Sequence, residues 1–253
     1  MIATDPLSFV ESATLLESPR RSGLEAGDLR TTALDLDRLP SGVVSGNNLI
    51  DFSAAADVTV RSGVSMALLF ASRTADAAMK PGHDEDDWFA AYTTNLRKLG
   101  FAVSQTAMSV SRFKKRGVFV HQAIIPFLTI ALGGAGVGPV ILAALNNLRE
   151  MDESKPWITL FDRESRKFTT REMHFAAVSS DTMQTAVRHV TARLSVDRNE
   201  TNVLFFHISD SSAEFESATT TMSANNSLLA VLEPHLRKRM EAEIIDFIAA
   251  ATT

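Results

Sequence analysis

The residues able to do chemistry are few and scattered. Cysteine is absent, which removes disulfides, thiolate zinc sites, iron–sulfur clusters, thiol catalysis and S-acylation together. The six histidines, His83, His121, His174, His189, His207 and His235, show no His-x-x-x-His spacing of the kind that places two imidazoles on one helix face around a metal. His189 and His207 fall on two strand candidates, with Ser209 and Asp210 close by. Facing one another, they would form the nucleus of an enzyme site, a general base beside a hydroxyl and a carboxylate. A hydrolase triad also needs a strained nucleophile turn, and no Gly-x-Ser-x-Gly occurs. Strand histidines are more commonly structural, so no catalytic residue, no metal ligand and no cofactor is expected.

Two further patterns resemble ligand sites and have simpler explanations. His83-Asp84-Glu85-Asp86-Asp87 is an acidic run suited to a cation, yet the same carboxylates cap a helix and sit where its dipole favours anions. Gly133-Gly134-Ala135-Gly136-Val137-Gly138-Pro139 is glycine-rich like a phosphate loop, but no Lys-Ser/Thr follows and no clear strand precedes it. The basic clusters are Lys114-Lys115-Arg116 and Arg163, Arg166, Lys167 and Arg171. With 25 basic against 30 acidic side chains, a net charge of −5, one tyrosine and two tryptophans, the chain lacks a basic face and the stacking platforms of a nucleic-acid binder. The sequons at Asn199 and Asn225 matter only in a secreted eukaryotic protein.

The elements that would position these groups follow from periodicity and punctuation. Residues 1–57 carry recurrent turn formers, Ser18-Pro19, Glu25-Ala26-Gly27-Asp28, Leu39-Pro40-Ser41-Gly42 and Ser45-Gly46-Asn47-Asn48, and read as an extended arm. Leu7, Phe9, Leu15, Leu16, Leu34, Leu36 and Leu39 are its docking candidates. A single domain is expected over 58–253. A helix runs from near Val58 to Lys80-Pro81-Gly82, and a second from Asp84 to Gly100 with Trp88, Tyr92, Leu96 and Leu99 on its apolar face. Phe101 to Phe113 alternates as a strand.

From Gly117 to Leu148 no side chain carries a formal charge, and His121 is the sole ionisable group. Pro126 and the glycine run divide this stretch into pieces of about ten residues, too short to cross the ~30 Å of a bilayer core. A helical hairpin of Val118–Leu132 and Pro139–Asn147 is expected, buried in the core or, alternatively, able to meet a membrane through Ile124, Phe127, Leu128, Leu132, Val137 and Ile141. Beyond Asp152 the strand candidates are Pro156–Phe161, Phe168–Val178, Met183–Val196, Asn202–Ser209 and Ala213–Met222, joined by short turns as an antiparallel meander. On the long one Thr185, His189, Thr191 and Arg193 would face water or a partner. An amphipathic helix over 225–250 closes the chain. The fold class is α+β, with the N-terminal helices and the apolar hairpin packed on a mostly antiparallel sheet.

Trp88-Phe89-Ala90-Ala91-Tyr92, Leu96 and Leu99-Gly100-Phe101-Ala102-Val103 resemble a motif of the Evf-type virulence factors, a sparsely characterised group of microbial α+β proteins. Ala143 to Leu148, Asn202 to Phe206 and Thr219 to Ser223 agree, and the resemblance spans about residues 58–248. It implies a non-enzymatic protein, in some members lipid-associated through an acylated cysteine. Here Ala176, Ala177 and Val178 stand where that cysteine is sought, so any lipid would bind non-covalently.

The function expected from all this is a non-enzymatic interaction or assembly protein working through its arm and an exposed sheet face. A lipid-binding or membrane-active factor using the hairpin is the alternative, and an enzyme around His189 and His207 the second alternative. The expected partner is a protein or a second copy of the chain, then a lipid; nucleic acid is not expected. The opening residues lack a basic n-region, and Asp5 and Glu11 interrupt the apolar run a secretory signal needs. A cytoplasmic protein, or one released without a signal peptide, is therefore expected.

Overall fold

The computed structural model describes residues 5–16, 35–55, 57–105, 109–112, 118–133, 138–152, 154–167, 170–194, 207–208 and 214–251. The chain opens with α1 (Pro6–Ser12), capped by Asp5, whose side chain accepts from the Ser8 N–H. Two short strands, β1 (Gly42–Ser45) and β2 (Asn48–Ala54), follow as a hairpin. Next comes α2 (Val58–Ala78), buried along most of its length and capped by Asp57. In α3 (Glu85–Lys98) Asp84 and Asp87 form a reciprocal capping box, so the acidic run serves the helix terminus. Strands β3 (Ala102–Gln105), β4 (Ser109–Arg112) and β5 (Val118–Phe119) lead to α4 (Val120–Ala131) and α5 (Pro139–Asn146).

The second half contains α6 (Pro156–Ser165), β6 (Arg166–Lys167), β7 (Thr170–Ser180), β8 (Gln184–Leu194), β9 (His207–Ile208) and β10 (Glu214–Asn225). It ends in α7 (Asn226–Arg239), α8 (Glu241–Phe247) and β11 (Ile248–Ala250). The main sheet runs β11-β1-β2-β7-β8-β10-β3, with β4 also on β10 and β6 on β7, while β5 and β9 form a separate pair. The β2–β7 pair is parallel and the others are antiparallel. The expected α+β class with a mostly antiparallel sheet is the one observed.

Strand alternation sends side chains to two separate cores. One lies under α1, α2, α3 and α7 and gathers Ile50, Phe70, Leu96, Val187, Met222 and Leu232. The other lies under α4, α5 and α6 and gathers Leu49, Ile124, Leu145, Phe161, Phe175, Val190 and Phe215. The sheet is therefore covered on both faces, which corrects the expectation of an exposed one. Thr185, His189, Thr191 and Arg193 are all buried.

Other expectations change as well. The segment read as the end of an arm supplies β1 and β2, whose Val43, Val44, Leu49, Ile50 and Phe52 are wholly buried, because the turn formers at Ser45–Asn48 join two strands rather than dissolve them. Pro156–Phe161 is a helix: Pro156 occupies its first turn, and Trp157, Leu160 and Phe161 follow helical spacing into the core. The predicted strand 101–113 is seen as two strands, β3 and β4, both on β10. The final helix breaks at Met240, and Ile248–Ala250 joins the sheet beside β1.

Candidate functional site

The expected helical hairpin is present as α4 and α5, and its composition sets it apart. In neither helix does the N-cap residue itself, Phe119 or Gly138, supply a side-chain cap, and Pro126 lies inside α4. Ile124, Leu128, Leu132 and Ile141, four of the six lipid candidates, are fully buried against the sheet. Phe127 is half-buried, edge-on to Phe215 with ring centroids 5.3 Å apart. Val137 lies outside the described residues. Facing outward on α4 are Ile130, 80% exposed, and exposed Pro126, while Ile125 and Leu142 are half-buried against the core. Gln122 and Thr129, half-buried and at helical spacing on either side of Pro126, are the polar marks that sequence reasoning passed over; they are uncharged and too few to make a stripe.

Two polar contacts fasten the hairpin near its tip. Asp51 on β2, 2% exposed, accepts from the Val140 N–H in the first turn of α5 at 2.6 Å. Arg188 on β8 donates Nη1–H to the Leu132 carbonyl at 2.9 Å. Gly133 follows Leu132 with φ +104, and a Cβ there would collide with the Arg188 guanidinium. Backbone hand thus favours glycine, and a Cβ would in addition displace the end of the Arg188 side chain from the Leu132 carbonyl. Asp51, Gly138, Ala177 and Arg188 line a cavity of about 230 Å³ here. Ala176 and Val178, the other residues at the sought cysteine position, point into the opposite core.

The second polar assembly lies on the opposite face of the sheet, beneath α3. Glu172, fully buried, receives His174 Nε2 at 2.8 Å on Oε1 and Arg193 Nε at 2.8 Å on Oε2. Arg193 continues to Asp86 at 2.6 Å and to the Glu85 carbonyl at 2.7 Å, so it ties the strand to the first turn of α3. His189 stacks edge-on against His174, centroids 4.8 Å apart, and its Nε2 lies 3.2 Å from Asn48 Oδ1. The Tyr92 hydroxyl donates to the same oxygen at 3.4 Å. Trp88, Phe89 and Tyr92 roof the cluster.

Burial pushes the Glu172 carboxyl up, but His174 and Arg193 outweigh it and hold the group below the usual range. Burial, with a smaller contribution from the charge of His174, pushes His189 well below the ordinary imidazole value. Burial, with help from the Glu172 charge, raises the Tyr92 hydroxyl. At neutral pH this makes His189 a neutral ring and Glu172 a paired anion.

The cluster does not unite His189 with His207. β8 is flanked by β7 and β10, whereas His207 lies on β9, paired with β5. The pairing that motivated an enzyme site is therefore not made, and Ser209 and Asp210 lie outside the described residues. Among the described residues no group of three or more His, Asp or Glu could hold a metal.

The arm candidates divide too. Leu36 and Leu39 are buried in the core, Leu15 is half-buried against it, Leu16 is 47% exposed, and Leu34 lies outside the described residues. Arg163 lies over the Phe247 ring and donates to the Asp246 carbonyl, and Arg166 pairs with Asp162. These basic residues thus serve the fold; Lys114 to Arg116 lie outside the described residues.

No family model matches the chain, and no curated protein matches it. Among solved structures, one titled delta-endotoxin is similar at 13% identity, with a TM-score of 0.38, over 85% of this chain and 91% of its own. A likeness at that level carries no argument here, and the reading of function rests on the sites themselves.

Proposed function

We propose that the protein is a non-enzymatic, membrane-active factor whose α4–α5 hairpin is its lipid-contact element. The observation that carries this reading is a charge-free hairpin with Ile130 80% exposed, attached to the sheet by apolar packing and two polar contacts near its tip. An apolar side chain contributes about 1.5–3 kcal/mol when fully withdrawn from water. A charge at the centre of a membrane helix costs about 2.5–3.5 kcal/mol, and no such charge opposes transfer here. Among the described residues no helix is long and apolar enough to cross a membrane, so the contact proposed is shallow, with the two short helices lying at the interface. The resemblance to the Evf-type factors points the same way and adds no residue to the site.

Flotation with vesicles of neutral and of anionic lipid, at acidic and neutral pH, tests the proposal. The protein should rise with the vesicles, and Ile130→Glu should reduce the bound fraction at least about tenfold. A protein that stays at the bottom of the gradient under every condition removes the reading.

A protein partner or a second copy is the other reading, favoured by exposed apolar Leu16 and Val231, 47% and 50% accessible. Light scattering decides it: a monomer at all concentrations that Leu16→Glu leaves unchanged excludes the self-association form.

A further inference from the structure

The buried cluster beneath α3 contains titratable groups that the hairpin does not use. From β7 come Glu172 and His174, and from β8 come His189 and Arg193. α3 contributes Tyr92 and, at the rim, Asp86; β10 contributes Glu216, 3.7 Å from Arg193. α2 contributes Asp76, which accepts from Trp88 Nε1 at 2.7 Å, and Arg73 beside it. The turn before β2 offers the neutral amide Asn47, and β2 itself opens with Asn48.

The charges in this set are already matched. The carboxylate inside the seal is Glu172, and both its oxygens are engaged, one by His174 and the other by Arg193. Asp86 and Glu216 lie outside it, on the far side of Arg193, with side chains 78% and 37% exposed. His189 faces an amide oxygen, an aromatic roof and another imidazole. A proton added there would bring a further positive charge, with no carboxylate facing it, into a volume closed to water.

We propose that the His174–His189 pair is an acid-operated latch on α3. At neutral pH a neutral His189 lets α3 seal the sheet; on acidification the pair takes up a proton that is better hydrated outside, and α3 lifts from its seat. The first turn of α3 is the part expected to move, because Asp84, Glu85 and Asp86 are at the surface and line a cavity of about 240 Å³ with Thr170, Arg193 and Glu216.

The sign follows from linkage. A histidine whose value is depressed in the folded state binds fewer protons there than in the open state. Its stabilising effect is therefore complete above the free-imidazole value and is lost as pH falls below about 6.5. The opening constant rises by up to about tenfold per pH unit for each such group. Glu172, held low, stays ionised through that window and weakens only below the ordinary carboxylate range, about 4.3, so the two effects separate on the pH axis.

Hydrogen exchange of the unmodified protein, corrected for intrinsic rates and followed peptide by peptide between about pH 7 and about pH 5, tests the latch. Protection in residues 85–98 should fall by about tenfold or more while α2 keeps its own. His189→Gln retains an amide opposite Asn48 but does not titrate, and should flatten that dependence; His174→Gln should do so in part. Unchanged protection in 85–98, a loss shared equally by every helix, or a His189→Gln protein with the same pH slope would each overturn the proposal. Should the variants fail to fold, the unmodified protein still decides.

Discussion

On one face of the sheet the helices are cross-linked by side chains; on the other they lie on it largely through hydrocarbon. Under α2, α3 and α7, Ser62 donates to Glu233, Asn95 to the Ala71 carbonyl, Trp88 to Asp76, and Arg193 to both Glu172 and Asp86. Across the sheet, α4 and α5 present buried Ile124, Leu128, Leu132, Ile141 and Leu145, and Asp51 and Arg188 reach them from the sheet. Hydrocarbon packing is non-directional, whereas buried polar cross-links specify one register and are expensive to break singly. One helical layer is thus committed to a single arrangement. The other is attached by forces that a different apolar environment can also supply.

The largest effect should come from the cross-linked face. Arg193→Met leaves the Glu172 carboxylate buried without its guanidinium, and should cost about 3–5 kcal/mol in urea unfolding. Next, Leu96→Ala in α3 should cost about 2–5 kcal/mol, as a buried leucine does when the whole domain unfolds with it. Leu128→Ala in α4 removes the same atoms, yet should lower the global midpoint less, with the difference appearing as faster local exchange in 120–146. Equal costs would mean that the two layers are equally integrated, and the contrast would fail. Smaller still, Asp51→Ala or Arg188→Ala should cost about 1–2 kcal/mol while increasing vesicle binding; a loss of binding would show that the contacts support the lipid-competent state instead. Asp84→Ala, which deletes the α3 cap, should cost about 1 kcal/mol and leave vesicle binding untouched.

Legibility in the sequence followed the same divide. α3 was readable almost to the residue, because Asp84, its acidic first turn and Gly100 are local signals written in residue type. The hairpin was readable as an element from its missing charges and Pro139, but its outward side was not, since no charge marks a face in 120–131 and the uncharged Gln122 and Thr129 are a faint signal beside so many apolar residues. Trp157-Ile158-Thr159-Leu160-Phe161 favours a strand by propensity and was overridden by packing against β7 and β11, with a proline to start the helix. The buried cluster could not be assembled from the sequence. Asn48, Tyr92, Glu172, His174 and His189 come from four separate elements, and only the parallel β2–β7 pairing places Asn48 opposite His174. Non-local registers of that kind leave no periodic trace.

The last strand has a consequence for how the protein comes into being. Val43 pairs with Ala250, and the Gly42 carbonyl accepts from the Ala251 N–H at 3.0 Å. During synthesis, β1 and β2 leave the ribosome before their partners and wait for β7 on one side and β11 on the other. Until those partners emerge they expose an apolar, unpaired edge built from Val43, Val44, Leu49 and Ile50. Such an edge is where a nascent chain is captured by neighbours or shielded by chaperones. The yield of folded protein should therefore depend on how quickly residues 248–250 arrive to close it.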